Sequence, residues 1–270
     1  MASWASRELK LRAASGLVLA PVAVAAVVIG GALFQGLVAG TVLLMAWEWE
    51  RICNGGRFGA PGYAMAAAGV AVVVAAALGR PDVALWIVLV AAVAVFVAAG
   101  LAGRSQPLWT AFGMLVIGPV ATTIIWLRLE PAVGTAGLLW LVGVVCATDL
   151  GGYAVGRTVG GPRLAPVISP RKTWSGLAGG MVCAAAWGWT GSQIWHIAAA
   201  WKLAFLAIVL AVLAQAGDLA VSVVKRRYGV KDSSNLIPGH GGVLDRTDGF
   251  VITTPVLAIL IVTMTGGFGA

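Results

Sequence analysis

The sequence predicts an all-α, polytopic integral membrane protein, a bundle of about nine transmembrane helices with the N-terminus cytoplasmic. Three observations carry this reading. Of the 270 residues, 60% are hydrophobic and only 10% charged, whereas a soluble domain carries about 25% charged residues and could not cover its surface with so few. Apolar stretches of spanning length, roughly 20 residues each, recur from one end of the chain to the other. Finally, the 18 Lys and Arg residues fall very unevenly between these stretches, as they do in helical membrane proteins.

The stretches lie at about 13–31, 32–47, 60–78, 83–102, 107–127, 135–156, 174–195, 201–224 and 250–267. The first follows a basic start, as a signal peptide would. It is nevertheless long, lacks a convincing cleavage site and precedes many similar runs, so it reads as the first span. Only Gly30 and Gly31 separate it from the second. The 37 glycines suit helices that pack closely in a membrane. Trp4, Trp47, Trp49, Trp109, Trp126, Trp195 and Trp201 lie near span ends, where interfacial anchors are expected. Cys53, Cys146 and Cys183 form no CxxC pair and read as small apolar residues.

With the N-terminus inside, fifteen of the 18 basic residues face the cytoplasm, Arg7, Lys10 and Arg12 among them. Arg80, Arg128 and Lys202 alone fall on the other side. That bias places the protein in the inner (plasma) membrane as a multi-pass chain with a basic cytoplasmic face. Residues 1–130 are expected to form N-terminal transmembrane helices. Residues 131–270 are expected to form a catalytic region with two cytoplasmic loops, 157–173 and 225–249.

Both loops are too specifically composed to be connectors. Asp149 stands near the end of an apolar span, where a carboxylate calls for a partner or an ion. Tyr153 and Gly156 follow on the same helical face, which predicts a polar stripe pointing into the bundle. After the helix-breaking Gly160, Gly161, Pro162, Pro166 and Pro170 comes SPRKT, where Ser169, Lys172 and Thr173 could surround phosphate oxygens at a helix N-terminus.

The second loop is richer still. Asp218, Ser222 and Lys225 share one helix face, and Asp245 and Asp248 sit three apart on a short helix. Carboxylates converging from two segments make a hard-cation site, with Mg2+ the natural occupant because it needs few carboxylates and leaves room for substrate phosphates. Lys225, Arg226, Lys231 and Arg246 exceed what the aspartates need, which points to an anionic ligand with several phosphates. PGHGG supplies a sharp turn of small residues. His240 within it acts on a proton, bonds a phosphate or fixes the turn. Glu48, Glu50 and Arg51 are expected to form local ion pairs.

The run Ser222-Val-Val-Lys225-Arg226, then Lys231-Asp232, then Leu236-Ile-Pro238-Gly-His240-Gly241-Gly242-Val-Leu-Asp245-Arg246-Thr-Asp248 resembles the signature of phosphatidate cytidylyltransferases, the CDP-diacylglycerol synthases. ISPRKTWSG upstream is similar to the same family, with Ser175 where its members commonly carry a glutamate. The resemblance is strong over the C-terminal half and architectural over the N-terminal half. It implies that CTP and phosphatidate give CDP-diacylglycerol and pyrophosphate, with Mg2+ as cofactor, the substrates as partners and no nucleic acid. A homodimer is compatible with it. Asp218, Asp245 and Asp248 are then the metal ligands. Asp218, Lys225, Arg226, Asp245, Arg246 and His240 form the catalytic set, and Ser169, Lys172, Thr173, Ser222, Lys231, Asp232 and Asp149 bind substrate.

A transporter or channel using buried Asp149 and Asp218 is the rival reading, since ion pathways use such carboxylates. Against it, charge gathers on one face, and the external half of the spans carries almost nothing ionisable. Neither the D-G-x-x-A-R pattern of the CDP-alcohol phosphotransferases nor a P-loop lysine motif is present.

Overall fold

The computed structural model describes residues 2–131 and 133–265, and side chains from Ser15 to Met264. Trp4, Arg7, Lys10 and Arg12 lie outside the described side chains, and the end of the expected span 250–267 lies outside the described residues.

The chain is helical almost throughout. Helix α1 (Ala2–Ile29) and α2 (Gly31–Cys53) are followed by α3 (Ala60–Ala77), α4 (Pro81–Leu101), α5 (Pro107–Leu129) and α6 (Gly134–Thr158). A hairpin of β1 (Arg163–Ala165) and β2 (Ser169–Thr173) leads into α7 (Trp174–Trp195), α8 (Ala200–Arg227), the one-turn α9 (Leu244–Thr247) and α10 (Phe250–Thr265). Every expected apolar stretch coincides with a helix among the described residues. Six of these helices, α2 to α6 and α8, are long and apolar enough to cross a bilayer. The apolar part of α1 (Ser15–Ile29) and of α10 (Phe250–Met264) is shorter.

Local chemistry explains the breaks. Gly30 and Gly31 both take positive φ, 71° and 55°, so the chain turns between α1 and α2 where any other residue would be strained. Prolines open α3 and α4, where the missing N–H has no helical partner to lose. The hairpin was not legible as strands. Its antiparallel pairing, Arg163 with Thr173 and Ala165 with Ser169, forms within a segment that reads only as a helix-breaking loop.

The chain folds as two compact units, Met1–Trp126 with Arg227–Thr247, and Leu127–Arg226 with Asp248–Ala270. In the first, Met45, Trp49, Met65, Met114 and Ile117 are fully enclosed, and the Trp49 indole donates to the Trp109 carbonyl at 3.0 Å. In the second, Leu138, Leu141, Val144 and Leu210 are buried. There α6 and α7 approach through glycine. A Cβ at Gly151 would stand 2.7 Å from the Gly179 carbonyl oxygen, and one at Gly180 would stand 2.8 Å from that of Thr148.

Two expectations about side-chain placement are overturned. Trp49 and Trp126 are buried core residues rather than interfacial anchors. The Asp149–Tyr153 stripe does not point inward: Asp149 is exposed, and Tyr153 is 66% exposed and accepts from Arg157. The face of α6 that packs is the one bearing Gly151, Gly152 and Gly156. Backbone-to-backbone approach between helices requires small residues, so the glycines, not the polar residues, choose that face.

Candidate active site

The second unit brings together two segments that lie some 45 residues apart in sequence. Thr173 ends β2 and caps α7: its hydroxyl accepts from Gly176 N at 3.0 Å. This satisfies one of the orphan amides of the first turn. Ser175, in the position where the glutamate was expected, donates to the Gly160 carbonyl and lies 3.0 Å from the Thr173 hydroxyl. A glutamate there would set a carboxylate against that carbonyl, so this chain's serine fits its own turn.

The hairpin ends by aiming Lys172 at α8. Its Nζ lies 2.6 Å from Asp218 Oδ2, with both side chains only partly exposed. Ser222, one helical turn on, donates to Asp218 Oδ1 at 3.2 Å. Lys225 continues the same face and is buried, and Arg226 ties the hairpin to α8 by donating to the Ile168 carbonyl at 3.2 Å. The expected shared face of Asp218, Ser222 and Lys225 is therefore present, and Lys172 is delivered to it. Asp248 joins the neighbourhood through its backbone. A Cβ at Gly217 would stand 2.5 Å from the Asp248 carbonyl oxygen. The Asp248 carboxylate accepts from the next amide, Gly249 N, at 2.8 Å. Ser169 opens β2 and is half-buried.

The first unit holds most of the signature loop, and its organiser is a residue expected to be only a local partner. Glu48 is fully buried near the end of α2. Its Oε1 accepts from Ser234 Oγ at 2.6 Å and Val243 N at 2.8 Å, and its Oε2 from Leu244 N at 2.7 Å and Ser233 Oγ at 2.9 Å. Asp245 Oδ2 accepts from Ser233 N at 2.8 Å, Ser233 Oγ at 3.0 Å and Gly242 N at 3.0 Å. Two carboxylates thus gather the loop's own donors, two of which are amides at the start of α9. A side chain at Gly242 would collide with the Ser233 hydroxyl and the Glu48 carboxylate.

Nor do Glu50 and Arg51 pair locally. Glu50 bonds Arg104 at 2.8 Å, while the Arg51 guanidinium stacks 4.4 Å over the Trp47 ring. Burial pushes the Tyr228 phenol, just beyond α8, above its ordinary pKa, with the nearby Cys53 thiol adding to the shift.

His240 closes a tight turn in which Ile237 N donates to Gly241 O at 2.8 Å. Its Nδ1 lies 2.6 Å from the Ser15 hydroxyl of α1, which also reaches the Pro238 carbonyl at 3.1 Å. These contacts fit the turn-fixing role among the three weighed for it. Lys231, Asp232 and Arg246 are exposed. Among the described residues no three His, Cys, Asp or Glu side chains gather into a ready-made metal cage. A magnesium ion does not require one, since one or two carboxylates, water and substrate phosphates complete its octahedron. Asp218 and Asp248, on segments whose backbones touch, fit that requirement. Asp245, in the first unit, spends Oδ2 on the loop's own donors.

The family profile of the cytidylyltransferases matches residues 10–264. A phosphatidate cytidylyltransferase of Pseudomonas aeruginosa is 35% identical over 276 residues, covering 97% of this chain and 99% of that protein. The enzyme of the same name from Brucella suis biovar 1 is 44% identical over 149 residues, or 55% of each chain. That from Staphylococcus saprophyticus is 39% identical over 161 residues. The match thus spans about half the length of the Brucella relative. On the extent of the profile match and the near full-length similarity to the Pseudomonas protein, the chain belongs to the cytidylyltransferase family.

Proposed function

We propose that the protein transfers CMP from CTP to phosphatidate, giving CDP-diacylglycerol and pyrophosphate. The observation that carries the reading is the meeting of Lys172 with Asp218 at 2.6 Å, because it unites the two segments that resemble the family. A phosphate oxygen of phosphatidate forms a bond to the α-phosphorus of CTP as the α–β bridging P–O bond breaks, and pyrophosphate leaves. Phosphatidate already carries an ionised oxygen near neutral pH, so no strong base is needed. Such a step depends on positioning and on neutralising charge.

Lys172 and Lys225 supply fixed cations beside the Asp218–Ser222 pair, and a phosphate arriving there draws the Lys172 ammonium away from its carboxylate partner. Arg226, Arg246 and Lys231 add positive charge for the nucleotide. Thr173, Ser169 and Asp232 shape the segments that carry these groups. We place Mg2+ on Asp218 and Asp248. When bound, the ion would neutralise charge on the nucleotide phosphates. Asp149, being exposed, offers a substrate contact rather than an ion pathway.

The fifteen-to-three division of basic residues supports nine spans in the inner membrane, with loops 157–173 and 225–249 cytoplasmic. A membrane-impermeant maleimide applied to intact cells should miss a cysteine at Val167, the exposed hairpin tip, and reach one at Ala199. The reverse pattern overturns this orientation. The activity itself is tested with purified protein in detergent, following CTP-dependent conversion of phosphatidate and release of pyrophosphate. Failure to form CDP-diacylglycerol from those two substrates overturns the reading.

A further inference from the structure

A cavity of about 490 Å³ opens between the last turns of α2 and the loop that follows α8. Both belong to the first unit, and none of the catalytic assignments above uses the cavity. Its size suits a nucleoside rather than a lone ion or a whole lipid. Its lining includes Trp47, with the Arg51 guanidinium stacked upon it, together with Ser233, Ser234 and Asn235. Arg51 is the single charged side chain among the lining residues. Several phosphates would call for more than one cation, whereas a flat, neutral heterocycle is served by a stacking surface and a few fixed hydrogen-bonding groups.

We propose that this cavity holds the pyrimidine end of the nucleotide and that Ser234 reads the amino group of cytosine. The reason lies in where the Ser234 proton is held. Its hydroxyl donates to Glu48 Oε1 at 2.6 Å and already accepts from Leu236 N at 3.1 Å. With that proton committed to a buried carboxylate, Oγ presents only a lone pair to a ligand. A 4-amino group donates to such an acceptor, but the 4-carbonyl of uracil would meet it oxygen to oxygen. Ser233 Oγ is likewise committed as a donor, its one proton shared between Glu48 and Asp245. A site built from hydrogen-bonding groups of fixed direction rejects a ligand of the wrong pattern more strongly than a site that merely fits its shape. Asn235, exposed at the cavity, adds an amide that offers both a donor and an acceptor to the base edge. Glu48 is then a positioning residue, acting on specificity through Ser234.

The proposal rests on the cytidylyl-transfer reading, and the experiment separates the two. Wild type, Ser234→Ala, Asn235→Ala and Arg51→Gln are assayed with CTP and with UTP at varied phosphatidate, and with inorganic pyrophosphate as inhibitor. The ratio of kcat/KM for CTP over UTP should fall at least tenfold in Ser234→Ala. The KM for CTP should rise about tenfold in Asn235→Ala and Arg51→Gln. The KM for phosphatidate and inhibition by pyrophosphate should hold in all three. Because Asn235 is exposed and hangs on a loop, its variant reports even where the loss of the Ser234 bond disturbs the fold. A rise in the KM for phosphatidate instead would make the cavity a lipid head-group site and overturn the proposal. An unchanged CTP/UTP ratio together with an unchanged KM for CTP would overturn it equally. Absence of CTP turnover in the wild type would remove the activity reading, and this assignment with it, before any variant is compared.

Discussion

Glu48 and Asp245 in the first unit accept from six donors of the signature loop, two hydroxyls and four backbone amides. Lys172 and Asp218 in the second unit face each other at 2.6 Å on the ends of a hairpin and a helix, with Ser222 beside them. Both regions look alike in sequence: dense in charge, set in an apolar chain. The difference is in what the charges do. Carboxylates buried among backbone donors fix a loop's shape, while an ammonium and a carboxylate left partly exposed can exchange each other for a ligand's phosphate and a cation. Charge density thus marks a functional region without telling which of its charges meet the substrate.

The largest effect expected from this contrast is on turnover. Asp218→Asn keeps the shape of the Lys172 contact and removes its charge, so kcat should fall by about 10²–10³-fold, as loss of one electrostatic group in a reacting centre does. Chelation of divalent cations should abolish wild-type turnover, and added Mg2+ should restore it. Full activity in chelator would remove the ion from the scheme. Thermal unfolding in the same detergent should hardly separate Asp218→Asn from wild type.

Glu48→Gln should behave in the opposite sense. The amide keeps one acceptor oxygen but turns a donor toward hydroxyls and N–H groups already pointing at it. Hydrogen bonds to a buried charge are worth about 1.5–3 kcal/mol each, and unsatisfied donors are expensive. Stability should therefore drop by about 3 kcal/mol, seen as a fall in Tm on the order of 6 °C or more. A Tm within a degree of wild type would mean that the carboxylate is not what holds the loop.

How much of this was readable in advance differs between the regions for a physical reason. The helices were legible because apolar composition and the glycine pair at 30–31 act locally. The shared face of Asp218, Ser222 and Lys225 was legible because it follows from helical spacing alone. Glu48 was read as part of a local ion pair because its partners lie 185 to 196 residues away, and no periodicity links residues at that distance. Its signal was the donor-rich pair Ser233-Ser234, which needs an acceptor from somewhere. The hairpin's Pro and Gly content hides its strand pattern, and Asp149 faces outward because the neighbouring glycines, not the polar residues, form the packing face of α6.

A smaller effect probes the turn that delivers Lys172. Thr173→Ala removes the cap on Gly176 N and should destabilise by about 1 kcal/mol, while Thr173→Ser should restore most of it. If the cap positions Lys172, Thr173→Ala should also lower kcat/KM for CTP severalfold, and Thr173→Ser should not.

The smallest effect is expected where a cation serves only the membrane surface. Arg57 is exposed in the turn after α2, where Asn54 Nδ2 donates to its backbone carbonyl rather than to its side chain. Lys225, by contrast, is buried on the Asp218–Ser222 face of α8. An ammonium is kept in such a place only where other charges or a ligand compensate it. Arg57→Ala should therefore change kcat/KM for CTP by less than about threefold, close to the 0.5 kcal/mol scatter of surface substitutions. Lys225→Ala, in the same detergent and with the same Tm control, should lower it by about 10²-fold or more. Equal small losses in both would mean that burial on the Asp218 face does not distinguish working cations from topological ones. The contrast between loop-holding and ligand-facing charge would then apply to the carboxylates alone.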